Sequence, residues 1–194
     1  MSGGRFAVIL VVPSSPIAVL LAPHEQPNCL ATRLAIHPRP NGISGLNLDP
    51  QAQLDSFIGK FSPDVAARTR EELSRMRALL PCAIEIVYDN YNALAIGFGP
   101  SERTSDAIFS LAVFPRWVTL CFLQGAKVPD PGKLLQGSGN QVRHIRLTDP
   151  QTLLSPAVRT LMLAALNFAR VPLSPAVKHR VVIKSISAKQ RPRQ

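Results

Sequence analysis

Cysteine is scarce in this sequence and lacks the spacing by which it usually carries chemistry. Only three cysteines, Cys29, Cys82 and Cys121, occur among the 194 residues, and no two of them form a C-x-x-C pair. An odd number without that spacing argues against a disulfide framework and against a closed zinc site. The cysteine pattern therefore favours a reducing compartment, and we expect a cytoplasmic protein.

A long uninterrupted apolar run is also missing. Two apolar stretches, 6–12 and 17–21, follow Arg5 and give the amino-terminal part the outline of an export signal. Prolines between the stretches break the run, which falls short of the roughly 20 residues that a membrane-spanning helix needs. Since the following residues are rich in Pro, Asn and Gly, we predict a disordered or non-native extension over residues 1–48. An export signal is the alternative, and no membrane association is expected.

Acidic residues are few, and the basic excess is spread along the chain. The sequence has 22 Lys and Arg against 12 Asp and Glu, a formal net charge of +10. That excess divides into +2 for residues 1–48, +5 for residues 49–187 and +3 for residues 188–194. A folded nucleic-acid reader is expected to concentrate its charge on one element, so the pattern does not favour a nucleic acid as partner. The segment 188–194 is predicted to be an exposed basic tail.

The ordered part of the chain alternates between two hydrophobic periods. An N-cap type of residue stands before proline at positions 49, 62, 149 and 155. The first two predict helices over 50–61 and 63–80, and Asp149-Pro150 and Ser155-Pro156 together open a final helix that Pro172 closes. Period-two patterns predict five strands between Ala83 and Leu147 and an edge strand over 180–186. Residues 49–187 are therefore predicted to form one α+β domain: an antiparallel sheet of about five or six strands, with helices covering one face.

Alternation along the predicted strands places polar and small residues on the face opposite the helices. A tight turn at Pro115-Arg116 would place Ser110, Thr119 and Cys121 on the same face as Trp117. The same reasoning adds Glu85 and Asp89 from the first strand and His144 and Arg146 from the last. We expect these side chains to converge on a concavity. The alternative is a half-solvated sheet face without a ligand, which antiparallel sheets often have.

No stretch matches a catalytic signature, so no catalytic residue, metal ligand or cofactor is assigned. The Gly-rich loop before the last strand could offer backbone N–H groups to an anion, although a lone G-x-G is also typical of a turn. The candidate ligand-binding residues are Glu85, Tyr88, Asn90, Trp117, Gly137, Ser138, Gly139, Arg143, His144 and Arg146. We predict a non-enzymatic domain that binds a small anionic ligand. Nothing in the sequence indicates the oligomeric state.

Two other functions stay open from the sequence. Glu85, Asp89, Cys121 and His144 could bind a metal if the fold brings them together, which would suit an intracellular iron or metal carrier. The basic tail could instead make the protein an adaptor for a nucleic acid or an acidic protein, with a steep dependence on salt.

Several motifs together resemble a known family. They are Leu79-Leu80-Pro81, Tyr88-Asp89-Asn90-Tyr91-Asn92-Ala93-Leu94, Pro115-Arg116-Trp117, Gly137-Ser138-Gly139 and Arg143-His144-Ile145-Arg146-Leu147. As a set they resemble the YdhG-like uncharacterised bacterial domain, over residues 49–193. The resemblance implies a small α/β domain, mostly of bacterial cytoplasm, with no assigned reaction. It also implies a distant link to a branch that delivers iron in the manner of frataxin, a function that relies on clustered exposed carboxylates. This chain has more basic than acidic residues, so it lacks the acidic excess on which such an iron-binding surface relies.

Overall fold

A computed structural model describes residues 49–193 of the chain. Its helices are α1 (Pro50–Ile58), α2 (Pro63–Leu79) and α3 (Pro156–Asn167). Its strands are β1 (Ile84–Asp89), β2 (Leu94–Gly99), β3 (Phe109–Phe114), β4 (Trp117–Phe122), β5 (Arg143–Arg146) and β6 (Arg180–Ile186). Two short 3-10 helices, Thr104–Asp106 and Gly125–Lys127, lie in the connections. The predictions made for residues 1–48 lie outside this described range.

The strands form one mixed sheet in the order β5-β4-β3-β2-β1-β6. All neighbouring pairs are antiparallel except β1 and β6, which are parallel. The predicted α+β fold with an edge strand at 180–186 is confirmed: the described sheet is mostly antiparallel, and the β1–β6 pair at its edge is parallel. The connection through α3 carries the chain from β5 at one edge of the sheet to the opposite edge, where β6 pairs with β1 in the parallel direction.

The β3–β4 hairpin has the register that the tight turn at Pro115-Arg116 predicts. Phe114 lies opposite Trp117, and Ser110 lies opposite Cys121. The alternate residues of both strands point to the other face and are buried: Phe109, Leu111, Val113, Val118, Leu120 and Phe122. The hairpin therefore has one wholly apolar face and one face of small, polar and aromatic residues, as its alternation predicts.

The helices cover the apolar face and form one core with it. Their buried apolar residues belong to the same cluster as the sheet residues: Leu54, Phe57 and Ile58 from α1, Val65, Leu73 and Met76 from α2, and Val158, Leu161 and Met162 from α3. Each helix begins with proline at its first turn, where a missing N–H costs nothing. Within residues 49–193 no helix combines the length and apolar character needed to cross a membrane.

Of the three basic residues after β6, Lys189 and Arg191 are exposed, as the predicted basic tail requires, whereas Arg193 folds back and is buried against the body. Arg193 is only 4% exposed, and its Nη1 lies 2.6 Å from Oδ1 of Asp89. Its Cζ lies 4.9 Å from the centre of the Phe61 ring, and its Nη2 donates to the carbonyl of Asn90. The sequence pattern could not reveal this, because a lone buried arginine has no periodicity.

Candidate functional site

The register of β1 divides the predicted site between the two faces of the sheet. Ile86 lies opposite Gly97 and Tyr88 opposite Ala95, which places both on the open face. Glu85 and Asp89 therefore point to the helix-covered face, and their predicted place beside Trp117 is wrong. Alternation suggested that Glu85 and Asp89 mark the open face, but both faces of β1 are buried, so polarity does not report which face of this strand is open.

Glu85 is a buried structural carboxylate. Arg77 of α2 donates to both of its oxygens, from Nε at 2.7 Å and from Nη2 at 2.8 Å. Nε2 of His179, which precedes β6, lies 2.8 Å from Oε1. The hydrogen bond to Glu85, opposed in part by burial, raises the pKa of Arg77. Glu85 thus ties α2 and the start of β6 to β1, and it has no route to a ligand on the open face.

Asp89 holds the other end of β6 in the same way. Lys60 donates to its Oδ2 at 2.6 Å and Gln190 donates to the same oxygen at 2.5 Å, while Arg193 approaches Oδ1. Burial alone would raise the pKa of Asp89, but the hydrogen bonds from these three side chains outweigh it and lower the pKa below its ordinary value. The carboxylate is therefore charged in the folded protein and serves as an anchor for the carboxy-terminal segment.

The open face of β3, β4 and β5 carries a concavity of about 510 Å³. Three of the ten candidate residues line it, Trp117, His144 and Arg146. The rest of the lining consists of Ala112, Phe114, Thr119, Cys121, Gln136 and Thr148. None of these residues is acidic. Because Glu85 lies on the other face, the site offers two aromatic side chains, an imidazole, a thiol, hydroxyl and amide groups, and one guanidinium group.

Arg146 and Trp117 form the central contact of the site. The Cζ atom of Arg146 lies 4.1 Å from the centre of the Trp117 ring, within the range of a cation–π interaction. Phe114 supports the indole from the neighbouring strand, with the ring centres 5.6 Å apart. Within residues 49–193 no carboxylate pairs with Arg146, so its guanidinium is positioned by the ring and keeps its hydrogen-bond donors available.

His144 and Cys121 lie side by side in the register of β4 and β5. Burial raises the pKa of the Cys121 thiol to about 11, so the sulfur is protonated at neutral pH. A thiol in that state is neither an activated nucleophile nor a ready metal ligand. The two residues therefore contribute a polar wall to the concavity, and the arrangement gives no support to thiol catalysis.

The Gly-rich loop does not face the concavity. Gly137 has a φ of 109°, which favours glycine and marks a turn. The carbonyl of Gly139 accepts a hydrogen bond from Nη1 of Arg143, whose side chain therefore lies along this loop. Arg143 pairs with Phe122 in the register and points away from the face that carries Arg146. Gly137, Ser138, Gly139 and Arg143 thus form a turn beside the site, without lining it.

Tyr88 and Asn90 also lie apart from the concavity. Tyr88 is on the open face, but two strands separate it from β4, and its hydroxyl contacts the hydroxyl of Thr104. Asn90 begins the turn to β2, where its N–H donates to the carbonyl of Ala93 at 3.0 Å. Its own carbonyl accepts from Arg193. Both residues have local structural partners.

The structure adds residues that the sequence reasoning missed. Gln136 reaches the concavity because it exchanges two backbone hydrogen bonds with His144, which makes an isolated bridge beyond β5. Arg116, in the β3–β4 turn, brings its Cζ to 5.8 Å from the centre of the Trp117 ring. Arg116 could have been identified from the sequence, because it is a basic residue in a predicted hairpin turn directly before tryptophan. Nothing in the sequence singles out Gln136.

The residues proposed for a metal site do not meet. Glu85 and Asp89 are on the helix-covered face, whereas His144 and Cys121 are on the open face. In the part of the chain that the structure describes, no group of three or more His, Cys, Asp or Glu side chains could hold a metal ion.

Comparisons with known proteins identify no relative. No family model, curated protein or solved structure matches the chain. The resemblance to the YdhG-like domain therefore stays a prediction, and the function has to be argued from the site.

Proposed function

We propose that this protein binds a small anionic ligand, without catalysing a reaction, in the concavity at Trp117, His144 and Arg146. The observation that carries the proposal is the Arg146 guanidinium held 4.1 Å above the Trp117 ring in a concavity whose lining has no acidic residue. A guanidinium that is positioned and unneutralised is suited to a carboxylate or phosphate, which it can bind with two parallel hydrogen bonds.

The dimensions and polarity of the site agree with this proposal. Its volume of about 510 Å³ lies within the range of small-molecule sites. Gln136 and Thr148 also line the concavity and supply further hydrogen-bonding groups. The protonated Cys121 thiol and the absence of an acid–base pair in the lining favour binding over catalysis.

The test uses Trp117, the only tryptophan of the chain, as the reporter. Inorganic phosphate, citrate and adenosine monophosphate are titrated while indole fluorescence and binding heat are followed. We expect a saturable signal with at least one of these anions and a loss of about tenfold or more in affinity for Arg146→Ala.

Arg143→Ala is the matched control, because it removes the same charge from the same strand on the opposite face. Its affinity should equal that of the unaltered protein. Binding heat is needed beside fluorescence, since Arg146→Ala alters the surroundings of the indole directly. The proposal is wrong if none of the anions binds, or if the two arginine variants bind alike.

A further inference from the structure

Trp117 is the meeting point of three concavities, of which the proposed anion site is one. A second, of about 320 Å³, lies between β4, β5 and α2 and is bordered by Arg68, Arg116 and Arg146. A third, of about 340 Å³, lies on the other side of the hairpin turn and is bordered by Arg116 and Arg191. Trp117 lines all three. The three concavities are therefore neighbours that share one aromatic residue.

The arginines around this ring come from four separate parts of the chain. Arg68 belongs to α2, Arg116 to the β3–β4 turn, Arg146 to β5 and Arg191 to the segment after β6. We call this surface, made by these four arginines and Trp117, the arginine–tryptophan surface. Because its charges are far apart in the sequence, a count along the chain cannot detect it. The sequence argument against a nucleic acid therefore loses its basis.

Most of the positive charge on this surface has no internal counter-charge. Within residues 49–193 the side chains of Arg116, Arg146 and Arg191 form no ion pair, while Arg68 is paired with Glu72 at 2.9 Å. Among residues 49–193, Asp64 is the single acidic residue that lines any of the three concavities. A surface with three unpaired arginines and one carboxylate has a net attraction for a ligand that carries several negative charges.

The position of Arg191 is set by the carboxy-terminal anchor. Its backbone N–H donates to the carbonyl of Tyr91 at 3.0 Å, and Arg193, two residues later, is paired with the buried Asp89. The basic segment is thus held against the body beside the β3–β4 turn. This docking makes Arg191 part of a built surface, although its side chain is exposed.

We infer that the arginine–tryptophan surface binds single-stranded nucleic acid. This inference rests on the proposed function, because the anion at Arg146 would be one phosphate of the strand. A single small anion would fill one of the concavities, whereas a strand supplies a phosphate to each and also planar bases. Proteins that bind single strands combine a cationic track with an aromatic ring on which bases stack, and guanidinium planes can stack with bases in the same way.

The test compares ligands that differ in length and in bases. Fluorescence anisotropy is measured with a labelled single-stranded oligonucleotide of about 10 nucleotides, a length within the usual site sizes. Adenosine monophosphate, an inorganic polyphosphate of matched charge and a duplex of the same sequence serve as competitors. We expect the oligonucleotide to bind at least about tenfold more tightly than any of the three competitors.

Variants separate the two proposals. Arg116→Ala and Arg191→Ala should each weaken oligonucleotide binding about tenfold and reduce its salt slope by about 0.7. Arg191 does not line the concavity at Arg146, so Arg191→Ala should leave adenosine monophosphate binding there unchanged. Trp117→Leu should weaken the oligonucleotide more than the polyphosphate, because only the former has bases to stack. Trp117→Phe, which keeps an aromatic ring, should bind the oligonucleotide nearly as tightly as the unaltered protein does. Arg143→Ala should have no effect.

The outcomes are distinguishable. If adenosine monophosphate binds but the oligonucleotide binds no more tightly, or if Arg116→Ala and Arg191→Ala leave its affinity unchanged, this inference fails and the proposed function stands. If polyphosphate or duplex binds as tightly as the single strand, the assignment to single-stranded nucleic acid is overturned. If no anion binds, both proposals fail together.

Discussion

Nη1 of Arg193 lies 2.6 Å from Oδ1 of Asp89, although 104 positions separate the two residues in the chain. Asp89 is the last residue of β1, and Arg193 follows the parallel edge strand β6. At the other end of the same pair of strands, Glu85 contacts His179, which precedes β6. Two buried carboxylates four residues apart on β1 therefore hold both ends of the edge strand.

Replacing Asp89 should cost stability in a pH-dependent way. Asp89→Asn leaves Arg193 buried without its counter-charge, and the loss expected for a broken buried pair is about 3 kcal/mol in the free energy of unfolding. Because the pKa of Asp89 is lowered in the folded protein, its contribution is fully present above its ordinary pKa of 3.8 and is lost as the pH falls through the folded value. Urea unfolding from about pH 7 to about pH 3 measures this difference.

Asp49→Asn is the control for that series, since Asp49 is exposed and makes no side-chain capping bond. Its unfolding free energy should follow the unaltered protein at each pH. The difference in unfolding free energy between Asp89→Asn and the unaltered protein should become smaller as the pH falls. A difference that stays constant would contradict the assigned charge of Asp89.

The anchored carboxy-terminal segment can be tested with two neighbouring arginines. Arg193→Met removes the charge that faces Asp89 and should lower the free energy of unfolding by about 2 kcal/mol or more. Arg191→Ala removes an exposed charge and should change stability by less than about 0.5 kcal/mol. Equal effects of the two substitutions on urea unfolding would show that the segment is not docked.

Gly125 is a position at which a single methyl group should be costly. A Cβ atom there would lie 2.6 Å from Cβ of Arg143 and 2.9 Å from Cβ of Phe122. Gly125→Ala should therefore force β5 away from β4 and destabilise the protein by about 1–3 kcal/mol. Gly139→Ala, where a Cβ would meet nothing within 4 Å, is the control and should be near neutral in thermal unfolding. Similar melting temperatures for both variants would contradict the close approach.

Cys121 should be unreactive towards thiol reagents in the folded protein. With a pKa of about 11, roughly one molecule in a thousand carries the thiolate at about pH 8. In a Cys29→Ser, Cys82→Ser variant, Ellman's reagent should react far more slowly with the folded protein than with the same protein in urea. Comparable rates in the two states would show that the sulfur is neither buried nor protonated.

The amino-acid pattern alone determined the secondary structure and the hairpin. The three proline-led helix starts and the alternation on either side of Pro115-Arg116 are local signals, and both were confirmed by the structure. The pairing of Trp117 with the face that carries His144 and Arg146 also followed from alternation, because one face of β4 is wholly apolar and Ile145 marks the corresponding face of β5.

Only the tertiary structure decided which face each carboxylate of β1 takes and where the basic residues gather. In β1 both faces are buried, so hydrophobicity cannot report its orientation, and Glu85 and Asp89 became anchors for β6. The arginines around Trp117 come from a helix, a turn, a strand and a terminal segment. A local pattern sets which residues alternate, whereas the crossover and the docked segment set which distant charges meet. The physical reason is that long-range ion pairs and surface charge depend on contacts with no period in the sequence.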